Sequence, residues 1–366
     1  MERTNQFVPN YVSPPGDTLR GTIDAIGMTQ VELAIRTGRP KEKINDIIQG
    51  RVQITAETAI QFEKALGIPA SFWLNLEQAY REYLERQREI AKLENALIWL
   101  KQVPYRPMIK YGWIKDFGLD LVSQLREVLT FFGVASVDEY KSLVTHAIPL
   151  RFRKSANFKA NPIAVAAWLR QGIREAQKVS SGNFDEQKFK KALVDIRGMT
   201  TLDPSEFVPR MVSSCLDAGV ILVFTKELPN TSINGAARWI GNLNRAMIQL
   251  SLRGKRNDIF WFTFFHEACH ILEHKKSELF VDYDGHKDEF EDQADSWAAD
   301  FLIPPQHHQT LKNYYKSGRN FSYEFVESFA SSIGIAPGIV VGRLQHDRML
   351  SPSHLNKLKR SYVWTS

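Results

Sequence analysis

Ile259-Phe260-Trp261-Phe262-Thr263-Phe264-Phe265-His266-Glu267-Ala268-Cys269-His270, with twenty residues between His270 and Glu291-Asp292-Gln293-Ala294-Asp295, decides how this 366-residue chain is read. The apolar run before His266 predicts a buried helix that Asp258 can cap and that continues to His274. His266 and His270 lie four apart and so share one helical face, where both imidazoles can point at a single ion. Glu267 falls beside them and can take a proton from water as a general base. Five residues in this pattern also occur by chance, with two core histidines as the plain alternative. The second segment sharpens the reading. Glu291 and Asp295 are again four apart, on a helix expected over 288–303 and ended by Pro304-Pro305. Glu291 can supply a third ligand, and Asp295 can accept from the free N–H of a liganded histidine and hold its tautomer. Two imidazoles and one carboxylate leave an open position and favour Zn2+, although manganese and iron accept the same ligand types. Cys269 points off the ligand face and reads as a small core residue. Stabilising an oxyanion needs one further donor near the ion. His274, Tyr283, His286, His307 and His346 are the candidates.

Upstream of this pair the pattern includes strands. Val220–Phe224 is a compact β-branched run and Met247–Leu252 alternates, so strands followed by long helices predict an α+β domain over 181–366. Residues 108–178 read as helices, among them Asp120–Phe132 and Pro162–Gln177, and 180–187 read as a linker. Residues 77–101 form one long charged helix carrying Tyr80, Leu84, Ile90, Leu93, Leu97 and Leu100, suited to joining domains and to dimerisation. Residues 91–215 hold 19 basic against 12 acidic side chains, while the flanking thirds are balanced. The excess is densest at Arg151, Arg153, Lys154 and Lys159, a patch for nucleic acid or an acidic partner, or simply a solvated face.

Residues 1–76 form the third expected domain, helical after a polar arm. Gln30–Ile35 and Pro40–Gln49, joined by Thr37-Gly38-Arg39, have the spacing of a helix-turn-helix. Ile44, Ile47 and Ile48 would anchor the second helix, leaving Lys41, Glu42, Asn45 and Arg39 to face a major groove. Gln30, Lys43 and Arg51 are candidates for phosphate contacts. Asn45 and Arg39 suit bidentate base readout. The near-neutral charge of residues 1–90 also permits a helical bundle used for protein contact.

Several resemblances follow from these residues. The H-E-x-x-H followed at this distance by E-x-x-x-D resembles the gluzincin peptidases. Phe262–His274 together with Ala294-Asp295-Ser296-Trp297-Ala298-Ala299-Asp300-Phe301-Leu302-Ile303-Pro304 resembles the ImmA/IrrE metallopeptidases over about residues 200–306. Gln293 departs from that pattern, since many members carry a second acidic residue there. This resemblance implies zinc binding and, in some members, cleavage of a repressor. Ala336–His346 resembles the C-terminal tail of members fused to antitoxins. Met28-Thr29-Gln30 through Leu33-Ala34, with Ile44–Gly50, resembles the Xre/Cro-like, lambda-repressor-like helical domains, and Pro15–Leu74 looks most like the HigA antitoxins. That implies a homodimer, double-stranded operator DNA and a cognate toxin protein as partners.

The expected fold is therefore α+β and mostly α: a helix-turn-helix domain, a helical linker and dimerisation region over 77–180, and a gluzincin-like domain with a small sheet. The expected function is a DNA-binding regulator, an antitoxin and autorepressor that carries a peptidase-like domain. The alternatives are an active zinc endopeptidase that cleaves a repressor or partner protein, with the helix-turn-helix for targeting, and a degenerate peptidase whose zinc is purely structural. Two cysteines, Cys215 and Cys269, are too few for a disulfide framework. No stretch reaches the ~20 apolar residues of a membrane span, and the N-terminus lacks the layout of a secretory signal. The chain is expected in the cytoplasm, away from membranes.

Overall fold

The computed structural model describes residues 12–147, 161–240, 244–274, 280–283 and 289–364. Its helices begin where the chain supplies a cap. α1 (Pro15–Ala25) starts on a proline in its first turn. In α2 (Gln30–Thr37) the Thr29 hydroxyl accepts the Glu32 N–H, and Gly38 ends the helix in the left-handed region at φ 66°. α3 (Lys41–Ile48) follows that turn. Thr55 caps α4 (Ala56–Leu66) in the same way. Leu19, Ile23, Leu33, Ile44, Phe62 and Trp73 are fully buried together and form the core of this part.

Trp73 belongs to α5 (Ala70–Leu100), a helix of 31 residues. A few residues on, the buried Glu77 carboxylate accepts the Ile54 N–H at 3.1 Å and the Arg81 guanidinium at 2.6 Å. The expected boundary at 76 thus falls inside a helix that is already bound to the first core. Two compact units result, Met1–Leu97 and Ile98–Ser366.

The larger unit opens with α6 (Tyr105–Lys110), α7 (Leu121–Phe132), α8 (Val137–Ala147), α9 (Pro162–Ala176), α10 (Glu186–Gly198) and α11 (Pro204–Asp217). The segment expected as a linker is tied into this unit: Phe184 N–H donates to Asn244 O, and Asp185 N–H to Ala218 O. The sheet consists of β1 (Val220–Phe224), β2 (Ile233–Ile240), β3 (Arg245–Leu250) and β4 (Phe280–Tyr283), in the order β1-β3-β2-β4. β1 runs parallel to β3, with Val220 opposite Ala246. β2 is antiparallel to β3 and to β4, with an irregularity between Ile233 and Gly235.

Alternation divides the sheet into two faces. Val220, Leu222, Ala237, Trp239, Ala246 and Ile248 share a core with Phe260, Trp261, Phe264 and Phe265 of α12 (Asn257–Glu273). Ile221, Val223 and Met247 share another with Ala176 and Ile173 of α9. After α12 come α13 (Glu289–Leu302), α14 (Pro305–Lys316), α15 (Tyr323–Ser332) and α16 (Pro337–His346). The C-terminal strand-like tail fastens the start of α12. Trp261 Nε1 donates to the Tyr362 hydroxyl, Arg360 N–H donates to Asn257 Oδ1, and the buried Lys359 ammonium lies 2.5 Å from Asp258. No single helix among the described residues is long and apolar enough to cross a membrane.

Candidate metal centre and helix-turn-helix face

α12 is apolar on nearly every side because the sheet, α13 and α16 enclose it. Its buried histidines and buried carboxylate fall in one short stretch. His266, Glu267 and His270 are at most 1% exposed. The first turn of α13 brings Glu291 to them: Oε2 lies 3.0 Å from His266 Nε2, and Oε1 lies 3.6 Å from His270 Nε2. The two Nε2 atoms are 3.0 Å apart. One ligand atom from each of the three residues lies within 4.8 Å of the others.

The donor set fits a cation. Two imidazole nitrogens and a carboxylate face one buried point, which are the ligand types and number of a zinc site that keeps one position open. Burial pulls the His270 imidazole down to about 4, so at neutral pH it is in the uncharged form that ligates. Burial alone would raise the Glu291 carboxyl. Its contacts with His266 and His270 outweigh that and hold it well below the usual carboxylate range. Asp295, one turn further along α13, places Oδ1 2.9 Å from His266 Nδ1, behind the ligand nitrogen. Burial pushes the Cys269 thiol up to about 12, which leaves it protonated and unsuited to ligation.

Glu267 faces β2. A Cβ added at Gly235 would lie 2.5 Å from Glu267 Oε1 and 2.7 Å from Thr263 Cγ2, so the strand's backbone touches this carboxylate only because residue 235 is glycine. Gly235 is the site residue that sequence reasoning missed; a glycine inside a strand marking close backbone approach was the available signal.

The five oxyanion candidates separate. His274 Nδ1 lies 2.7 Å from His270 Nδ1, on the nitrogen that faces away from Glu291. His307 meets Phe329 edge-on, and His346 is exposed beside Asp347. For Tyr283 only the backbone, in β4, is described. His286 and the basic residues Arg151, Arg153, Lys154 and Lys159 lie outside the described residues.

On the smaller unit, Lys41, Glu42 and Lys43 are exposed along α3, Asn45 is half-buried, and Ile44, Ile47 and Ile48 face the core. Gln30 is half-buried at the start of α2. Arg51 is exposed and pairs with Asp46 at 2.8 Å. Arg39 is held on α4: its Nε donates to Gln61, and Nη2 lies 3.1 Å from Glu57, with the side chain 19% exposed. Its guanidinium thereby ties the turn before α3 to the domain.

No protein-family model matches the chain, and no curated protein matches it. Two solved structures are similar to it over 23% of its length. One is a protein described as the antidote of a plasmid maintenance system from Nostoc punctiforme, 27% identical, with 93% of that chain covered and a TM-score of 0.23. The other is an addiction-module antidote protein of a HigA family from Coxiella burnetii, 30% identical, with 91% covered and a TM-score of 0.21. Both neighbours are antidote proteins. The larger part of the chain rests on its own geometry.

Proposed function

We propose that this protein is a DNA-binding regulator, an antitoxin-type autorepressor whose larger unit holds a zinc centre of metallopeptidase type. Its partners in this reading are double-stranded operator DNA, a cognate toxin and a second copy of the chain. The observation that carries the reading is the convergence of His266, His270 and Glu291 on one buried point, with Glu267 next to it on the same helix. The DNA-binding half is supported by α2 and α3, joined through the left-handed Gly38, with Lys41, Glu42, Lys43 and Asn45 on the outer side of α3.

Zinc held by His266, His270 and Glu291 supplies Lewis acidity toward a peptide carbonyl. Asp295 keeps the His266 ring turned so that Nε2 serves the ion. Glu267 takes the proton from the attacking water and returns it to the departing amine. A second reading, in which the chain is itself an endopeptidase acting on a repressor or partner protein, is favoured by the burial of Glu267. A buried carboxylate beside two histidines on the same helix is placed to accept a proton from water, as a general base does.

Metal analysis of the purified protein beside Glu291→Ala tests the centre. One equivalent of zinc in the wild type and none in the variant is the expected result. Full occupancy in the variant removes Glu291 from the ligand set and the peptidase reading with it.

A further inference from the structure

His266, His270 and His274 follow one another at four-residue intervals, and the rings of successive members lie 4.8 Å apart. His274 closes α12: its N–H donates to His270 O, and its ring meets Phe290 at 4.9 Å, edge to face. We propose that His274 is a positioning residue of the metal centre, accepting a hydrogen bond from His270 Nδ1–H and thereby presenting His270 Nε2 to the ion. This rests on the zinc reading of the centre given above.

The tautomers follow from the geometry. A contact of 2.7 Å between His270 Nδ1 and His274 Nδ1 requires a proton on one nitrogen and a lone pair on the other. If the proton were on His274, a neutral His270 would carry its own on Nε2, the atom that lies 3.0 Å from His266 Nε2 and faces Glu291. That form cannot ligate. The competent arrangement is therefore His270 with Nδ1–H and His274 with Nε2–H. The two ligand histidines are oriented by different groups, His266 by the Asp295 carboxylate and His270 by the His274 imidazole. The same geometry removes His274 from the oxyanion candidates, because it occupies the side of His270 opposite the ion.

The test uses the full-length protein and the variants His274→Ala and His274→Asn. Asparagine places its Oδ1 where His274 has Nδ1 and so keeps an acceptor. Zinc affinity is measured by competition with a chromophoric chelator. Ring 15N shifts of the metal-free protein report the His270 tautomer. His274→Ala should weaken zinc binding by ~10–100-fold, and His274→Asn should restore most of it. The metal-free wild type should show His270 as the Nδ1–H form. Wild-type affinity in His274→Ala, or an equal loss in His274→Asn, overturns the proposal. So does an Nε2–H form of His270 in the wild type. A wild type that binds no zinc but shows the Nδ1–H form would sink the zinc reading while upholding the hydrogen bond. Should His274→Ala fail to fold, the wild-type spectrum and the asparagine variant still decide.

Discussion

Replacing Gly235 with alanine should disturb Glu267 while sparing the metal ligands. The new Cβ would stand 2.5 Å from Glu267 Oε1, against 3.4 Å for an ordinary contact, so carboxylate and strand must separate by about 0.9 Å. Glu267 cannot swing into solvent, because it is fully buried among the sheet, α12 and α13. Overpacking of this kind costs ~1–3 kcal/mol of stability. A displacement of about 1 Å at a catalytic group lowers turnover by ~100-fold where turnover exists. The three atoms nearest the added Cβ belong to Glu267 and Thr263, and none to His266, His270 or Glu291, so zinc affinity should stay at the wild-type level. The assay is a double-mutant cycle of urea unfolding with Gly235→Ala and Glu267→Ala. Thr263 Cγ2, at 2.7 Å, leaves part of the cost in either background. A coupling of about 1 kcal/mol between the two positions is expected. An equal cost of Gly235→Ala with and without the Glu267 carboxylate would refute the claim that this glycine exists for Glu267.

Acid should destabilise the metal-free protein. His270 is held down to about 4 in the fold but titrates at 6.5 when unfolded, so the unfolded chain binds the extra proton as pH falls through that window. The stability present above pH 6.5 then declines by about 3 kcal/mol by pH 4. Glu291, depressed as well, adds loss of the same sign below 4.5. A melting temperature that stays flat from pH 7 to 4 would contradict both. In the smaller unit, Glu77→Ala strands the buried Ile54 N–H and should cost ~1–3 kcal/mol there, with zinc content unchanged. An unaltered unfolding transition of the smaller unit would show that the Glu77 contact with Ile54 adds nothing to its stability. Asn45→Ala should weaken operator binding by ~1–3 kcal/mol, mainly at one base position. A uniform loss over all sequences, measured by fluorescence anisotropy, would make Asn45 a phosphate contact.

Spacing made α12 and α13 readable. A four-residue interval is a geometric statement about one helical face, and it brought His266, His270, Glu291 and Asp295 into one site without knowledge of the loop between the helices. β1 was readable as a compact β-branched run and β3 in part from the alternation of Met247–Leu252, although the strand itself runs from Arg245 to Leu250. Other features depend on contacts that no local pattern carries. The attachment of α5 to the first core includes a carboxylate at 77 reaching an amide 23 positions earlier. The part played by His274 turns on which ring nitrogen meets which, a matter of rotamer rather than of residue type.

β2 is the instructive failure. Ile233-Asn234-Gly235-Ala236-Ala237-Arg238-Trp239-Ile240 shows neither the alternation nor the bulk that marks a strand, and β4, only four residues long, offers little pattern of its own. The smallness has a physical cause. Gly235 faces Glu267 and Thr263 at distances that exclude a Cβ, and Ala237, on the same face, packs in the core that α12 shares with the sheet. A larger residue at 235 would strengthen the strand's sequence signal while pushing the sheet away from the helix that carries His266 and His270. The requirement that brings a backbone against a buried carboxylate is thus the one that erased the strand's signature. In a chain of this kind, a weak strand next to a strong metal motif is where the missing site residues should be sought.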